Sequence, residues 1–132
     1  MELTYRINAP VTAQMVADLF RASGIRRPVE DLPRIQKMLD HANLTITAWD
    51  GEKLAGIARA LTDFSFCCYL SDLAVDKAYQ RQGIGKELVR RVQEAIGEES
   101  MLLLLAAPAA REYYPHIGFQ KVDRAWGIDR KR

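Results

Sequence analysis

Three neighbouring blocks restrict the fold of this chain more than any other feature. They are an apolar run at residues 66–75 (FCCYLSDLAV), a helically spaced stretch from about Gly83 to Gly97, and a second apolar run at 101–107 (MLLLLAA). Two strands joined through a helix cannot form a tight hairpin. They lie parallel in one sheet, linked by a right-handed crossover with the helix packed over them. Ile84, Leu88, Val89, Val92, Ala95 and Ile96 make the inward stripe of that helix, while Lys86, Glu87, Arg90, Arg91, Gln93 and Glu94 face water. The run at 101–107 shows no polar alternation, which predicts a strand covered on both faces.

The remaining elements supply the rest of a sheet. Leu3, Tyr5 and Ile7 alternate with polar neighbours and stop at Asn8-Ala9-Pro10, giving a short first strand. Met15, Val16, Leu19 and Phe20 predict a helix over 12–23 that Gly24 ends, and Asp31 caps a second helix bearing Leu32, Ile35, Met38, Leu39 and Ala42. Residues 44–49 and 54–61 are β-rich runs around Asp50-Gly51-Glu52-Lys53, a hairpin signal. Downstream, Pro108 opens a last helix through Tyr114, and 119–122 begins a final strand. The expectation is an α/β fold, one mixed and mostly antiparallel sheet flanked by helices, with a parallel crossover between the fourth and fifth strands. At 132 residues and 48% hydrophobic, the chain has the size of one domain spanning 1–132.

Bulk properties exclude several partners. A formal charge of +2 is too small to argue for nucleic acid or a membrane surface. MELTYRINAP lacks a basic segment followed by a long apolar run, and no later run reaches membrane-spanning length, so a cytoplasmic location is expected. Cys67 and Cys68 are adjacent in an apolar strand, a spacing that suits neither a framework disulfide nor a zinc site; both are expected to be buried packing residues, and no metal site is expected.

The junction before the third helix, Gln80 to Val89 (QRQGIGKELV), carries the chemistry. A nucleotide P-loop needs Gly at Gln80 and Ser or Thr at Glu87; a dinucleotide fingerprint needs Gly at Leu88. Both patterns fail. Two glycines can also serve only to turn a strand into a helix. Against that bland reading, unpaired N–H groups and the dipole at a helix start favour an anion, with Arg81 and Lys86 beside it.

Gln80-x-x-Gly83-x-Gly85 resembles the (Q/R)xxGx(G/A) signature of the GNAT superfamily of acyl-CoA-dependent N-acyltransferases, with Leu73-Ala74-Val75 ahead of it as in that family's fourth strand. Ala110 to Phe119 (AREYYPHIGF) is similar to the family's AxxhYxxxGF segment. Together, in this order, the two matches cover a likeness from the first strand to Phe119. The resemblance implies an enzyme that takes acetyl-CoA as cosubstrate and acetylates an amine directly. It implies that backbone amides of Gln82, Gly83, Ile84, Gly85, Lys86 and Glu87 hold the CoA pyrophosphate, with Arg81 alongside, and that Leu73, Ala74 and Val75 pair with the pantetheine arm. Tyr114, four residues before Gly118, stands at the family's general-acid position, and a phenol is protonated at neutral pH.

Asp72, on a strand face with Leu70 and Ala74, is the candidate base, and a water chain is the alternative. The sequence departs from the family at Tyr69, where a glutamate is frequent, and at Ala107, where Asn is common. Arg26 and Arg27 lie where the family shapes its acceptor site; they read either as a binder of an acidic group or as solvated charges. His116 reads as a surface residue, and Trp49 and Trp126 as core or rim aromatics. Only fourteen residues follow Gly118, where the family often has two strands, which points to a last strand that is absent, shortened or contributed by a partner in a homodimer. A catalytically weak acyl-CoA sensor or interaction module would keep the same loop, and a structural domain without a cofactor is a third reading.

Overall fold

A computed structural model describes residues 2–132. Strand β1 (Leu3–Ile7) ends where Asn8 takes a left-handed φ of 54° and pairs with Thr45 through both its backbone N–H (2.7 Å) and its side-chain Oδ1 (2.8 Å). Helix α1 (Ala13–Ser23) starts at Thr12, whose hydroxyl accepts from the Met15 N–H, and ends at Gly24 with φ 83°. Helix α2 (Leu32–His41) starts at Asp31, whose carboxylate accepts from the Arg34 N–H at 3.1 Å. Strands β2 (Leu44–Asp50) and β3 (Lys53–Thr62) form the expected hairpin, followed by β4 (Cys67–Val75), α3 (Ile84–Ile96) and β5 (Met101–Leu103).

The five strands lie in sequence order, antiparallel except for the parallel β4–β5 pair. Each face has its own core. On one, α3 sets Ile84, Leu88, Val89, Val92 and Ile96 against Ile46, Ala58, Ala60 and Leu70. On the other, Val16, Leu19 and Phe20 of α1 and Ile35 of α2 cover Trp49, Ile57 and Ala74. The small residues of LAGIARAL on β3 let α3 approach closely: a Cβ at Gly56 would lie 3.2 Å from both Ile84 and Leu88.

Several expectations are corrected. The run at 101–107 is an edge, with only Met101–Leu103 paired to β4 and residues 105–107 exposed. An unbroken apolar run does not distinguish a strand covered on both faces from one at a sheet edge. The last helix is divided into a 3-10 turn, Pro108–Ala110, and a short α4, Tyr113–His116. Residues 119–122 form no strand, since no strand lies beside them to supply a ladder. Cys68 is buried but Cys67 is exposed, because adjacent strand residues point to opposite faces. Trp49 is a core residue, whereas Trp126 is exposed.

Leu88 is fully buried at the centre of the α3 core. Leu88→Ala is expected to lower unfolding free energy by about 2–5 kcal/mol, read from urea midpoints; a loss well under that range would contradict the packing described.

Candidate active site

The loop between β4 and α3 is fixed at several points. Asp76 Oδ1 accepts from the Ala78 N–H at 2.9 Å and so caps a 3-10 turn, Lys77–Tyr79. The Tyr79 hydroxyl donates to Asp50 Oδ2 at 2.5 Å, tying that turn to the end of β2. Gln80 Nε2 donates to the Val75 carbonyl at 3.0 Å, so the glutamine folds the loop back onto its own strand. Then Arg81 (φ 68°) and Gly83 (φ 79°) take left-handed conformations on either side of Gln82. Alternation of this kind turns successive N–H groups toward one concavity. Among the described residues, the backbone N–H groups of Arg81, Gln82, Gly83, Ile84, Gly85 and Lys86 have no hydrogen-bond partner; the first return bond of the helix is Glu87 N–H to the Gly83 carbonyl. Added to the helix dipole, they make a concavity, here called the cradle, of a kind that can take an anion.

Glu87, in the first turn, would oppose an anion if it faced the cradle. It is instead held by Arg90 (2.8 and 2.9 Å) and Arg91 (2.7 Å). The hydrogen bonds from Arg90, and then those from Arg91, keep its carboxyl ionised, down to a pKa of about 2.

The two glycines answer different needs. At Gly83 a Cβ would meet nothing within 4 Å, so its requirement is the left-handed φ. At Gly85 a Cβ would lie 2.5 Å from the Tyr113 hydroxyl. Steric room for Tyr113, from another part of the chain, is what Gly85 supplies.

Beside the cradle, β4 has a free edge. Its parallel pairing with β5 covers only Cys67–Tyr69, and the two strands then diverge. The Asp76 N–H bonds the Ala55 carbonyl of β3 at 2.9 Å. By strand alternation the Ala74 backbone also turns to β3, leaving the backbone groups of Leu73 and Val75 at the open edge. Of the three expected edge residues, Ala74 is therefore not at the edge.

A bulge decides where Asp72 goes. Arg59 pairs with Asp72 and Ala60 with Leu70, leaving Ser71 as the extra residue. Leu70 and Leu73 thus both face α3, and Asp72 joins Ala74 on the α1–α2 face, correcting the expectation that Asp72 shares a face with Leu70. Asp72 is fully buried, with one oxygen bonded to Arg27 Nε at 2.5 Å and the other to Arg59 Nε. Arg59 also reaches Ser71 Oγ (3.0 Å) and the Met38 carbonyl (3.2 Å). Arg27 donates to the Ser71 carbonyl at 2.7 Å, so it is a bound residue of the bulge and not a solvated loop charge. With no exposed surface and both oxygens on guanidinium groups, Asp72 is a carboxylate committed to holding the bulge. Sequence reasoning passed over Arg59, although a lone arginine in the apolar run LAGIARAL was a signal that something acidic faced it.

The half-buried Tyr114 ring packs edge-on against Tyr113 and Phe119, with centroids 5.4 and 5.5 Å away. Burial pushes its phenol above the ordinary value of 10.0 and neighbouring Tyr113 adds to this, while the Arg27 guanidinium pulls it back. Tyr114 is therefore within electrostatic reach of the bulge. His116 and Ala107 are exposed. Among the described residues no group of His, Cys, Asp and Glu converges as a metal site, and no helix is long and apolar enough to cross a membrane.

A family model described as an acetyltransferase (GNAT) domain matches residues 17–126. An Arabidopsis thaliana protein named GCN5-related N-acetyltransferase 2, chloroplastic, is 36% identical over 78 residues, 54% of this chain. This chain spans only 30% of that relative's length. A Staphylococcus aureus protein of unknown function, described as a probable acetyltransferase, superposes with a TM-score of 0.84 at 24% identity over 99% of this chain and 100% of its own. An aminoglycoside N-acetyltransferase solved with CoA superposes with a TM-score of 0.71 at 15% identity, over 99% and 96% of the two chains. At these identities the two structures speak for the fold.

Two substitutions check the geometry. Asp72→Asn leaves the buried Arg59 and the partly buried Arg27 without their anion and is expected to cost about 3–5 kcal/mol by chemical denaturation; a loss near zero would contradict the burial. Gly85→Ala should lower the melting temperature, and pairing it with Tyr113→Ala should recover much of that loss, because the second change removes the group that the new methyl strikes.

Proposed function

The chain belongs to the GNAT acetyltransferase family, and from that premise we propose that it transfers the acetyl group of acetyl-CoA directly to an amine. The observation that carries this reading is the row of unpartnered N–H groups from Arg81 to Lys86, set at the start of α3 beside the open edge of β4. That cradle suits a pyrophosphate, and the backbone groups of Leu73 with the N–H of Val75, whose carbonyl is taken by Gln80, suit the amides of a pantetheine arm lying along the strand. The left-handed Gly83 and the diverted Glu87 support the same fit.

When bound, the thioester supplies an activated acetyl group. The protein's part is to orient it, to stabilise negative charge at the acyl oxygen and to protonate the leaving sulfur. Backbone N–H groups on the open side of β4 are the donors for the oxygen. Tyr114 is the acid, since burial keeps its phenol protonated beyond the ordinary range. Arg27, Asp72 and Arg59 carry one positive charge in excess near that centre, which favours developing anions. Asp72 fixes the bulge and takes no proton; the amine loses its proton to water.

A second reading, an acyl-CoA sensor or interaction module of low activity, draws on one observation, the commitment of Asp72 to two arginines. Consumption of acetyl-CoA against an amine panel separates the two: turnover with any amine supports the enzyme, and saturable CoA binding without turnover supports the sensor. A cytoplasmic location is part of the proposal; the Arabidopsis relative is described as chloroplastic.

Tyr114→Phe is expected to lower kcat by about 100-fold, with CoA affinity by calorimetry unchanged. In the parent enzyme the raised phenol pKa means that activity is not lost through this group until the pH passes 10.0. An unchanged kcat in the variant would remove Tyr114 from the acid role.

A further inference from the structure

Tyr113 approaches the first turn of α3 hydroxyl first. Of its atoms, the one nearest the place a Cβ would take at Gly85 is the hydroxyl oxygen, at 2.5 Å, with the ring carbon that bears it at 3.5 Å. In a helix each Cα–Cβ bond tilts toward the N-terminus. A group at that spot therefore lies on the side of residue 85 to which the free N–H groups of the first turn point. Gly85 is buried, and Tyr113 is what stands over it.

Packing accounts for the ring of Tyr113 but not for its hydroxyl. The edge-on contact with Tyr114, centroids 5.4 Å apart, needs only an aromatic ring. Burial alone lifts the phenol above its ordinary value of 10.0, with no hydrogen bond or charge in the protein contributing, so the hydroxyl keeps its proton at neutral pH. The groups around it are donors as well: the N–H groups from Arg81 to Lys86 have no partner, and the one carboxylate of the turn, Glu87, is held by Arg90 and Arg91. A set of donors without an acceptor is satisfied only by an acceptor from outside the protein.

We propose that the Tyr113 hydroxyl donates a hydrogen bond to a pyrophosphate oxygen of CoA held in the cradle. The inference rests on the reading of the cradle as a CoA pyrophosphate site, and it adds to the backbone of α3 a side-chain donor from α4. Gly85 then serves the donor tyrosine, by leaving room for its hydroxyl at the mouth of the cradle. Tyr113 is a binding residue in this arrangement, and the acid role stays with Tyr114.

Tyr113→Phe removes the hydroxyl and keeps the ring. Calorimetry at a temperature where both proteins are folded should show the Kd for CoA rising about tenfold, as expected for a lost hydrogen bond to a charged group. Dephospho-CoA, which retains the pyrophosphate, should lose affinity to the same extent. Pantetheine, which has the arm without the phosphates, should shift the melting temperatures of parent and variant equally. An unchanged Kd for CoA, a loss confined to CoA and absent with dephospho-CoA, or a pantetheine response that falls in the variant overturns the Tyr113 assignment and leaves the transferase reading standing. A parent that binds no CoA overturns that reading, and this assignment with it.

Discussion

The bulge on β4 and the buried ion cluster that holds it govern the arrangement of the rest. Ser71 adds one residue to the strand, and from there each side chain of β4 faces the opposite layer from the one a regular strand would give it. Asp72 is thereby buried under the α1–α2 connection, where it is tolerable only because Arg27 and Arg59 take both its oxygens. The same contacts bind the loop after α1 to the middle of the sheet.

Electrostatics at the cradle and at the bulge are arranged differently. At the start of α3 the positive potential is made of backbone, and the only acid of the first turn is drawn off by two arginines. At the bulge it is made of side chains, with Asp72 and Arg59 buried and Arg27 partly so, where charge is screened less than at the surface. Tyr114 lies between Tyr113, whose hydroxyl rests over Gly85, and Phe119, so the segment bearing the proposed acid touches the cradle directly.

The α3 stripe, the β2–β3 hairpin, the Gly24 stop, the Asp31 cap and the parallel crossover were legible because each is a local pattern of apolar spacing or turn chemistry. So was the turn into α3, whose glycine positions are read one residue at a time. The ends of β5 and α4 were not legible, because MLLLLAA reads the same whether or not a neighbouring strand pairs with it. Asp72 was misread for a related reason: strand alternation is a sound rule only until a bulge, and no residue type marks Ser71 as the extra one.

The sequence by itself determined the order of elements, the two glycines and the tyrosine pair, since these depend on residue chemistry over a few positions. Only the tertiary structure decided that Gly85 makes room for Tyr113, that Arg27 and Arg59 converge on Asp72, and that the β5 edge is left open. Those contacts join residues 28, 45 and 13 positions apart along the chain, as numbered from Gly85 to Tyr113, Arg27 to Asp72 and Arg59 to Asp72. Burial and pairing at such separations depend on the whole packing, which no local pattern encodes.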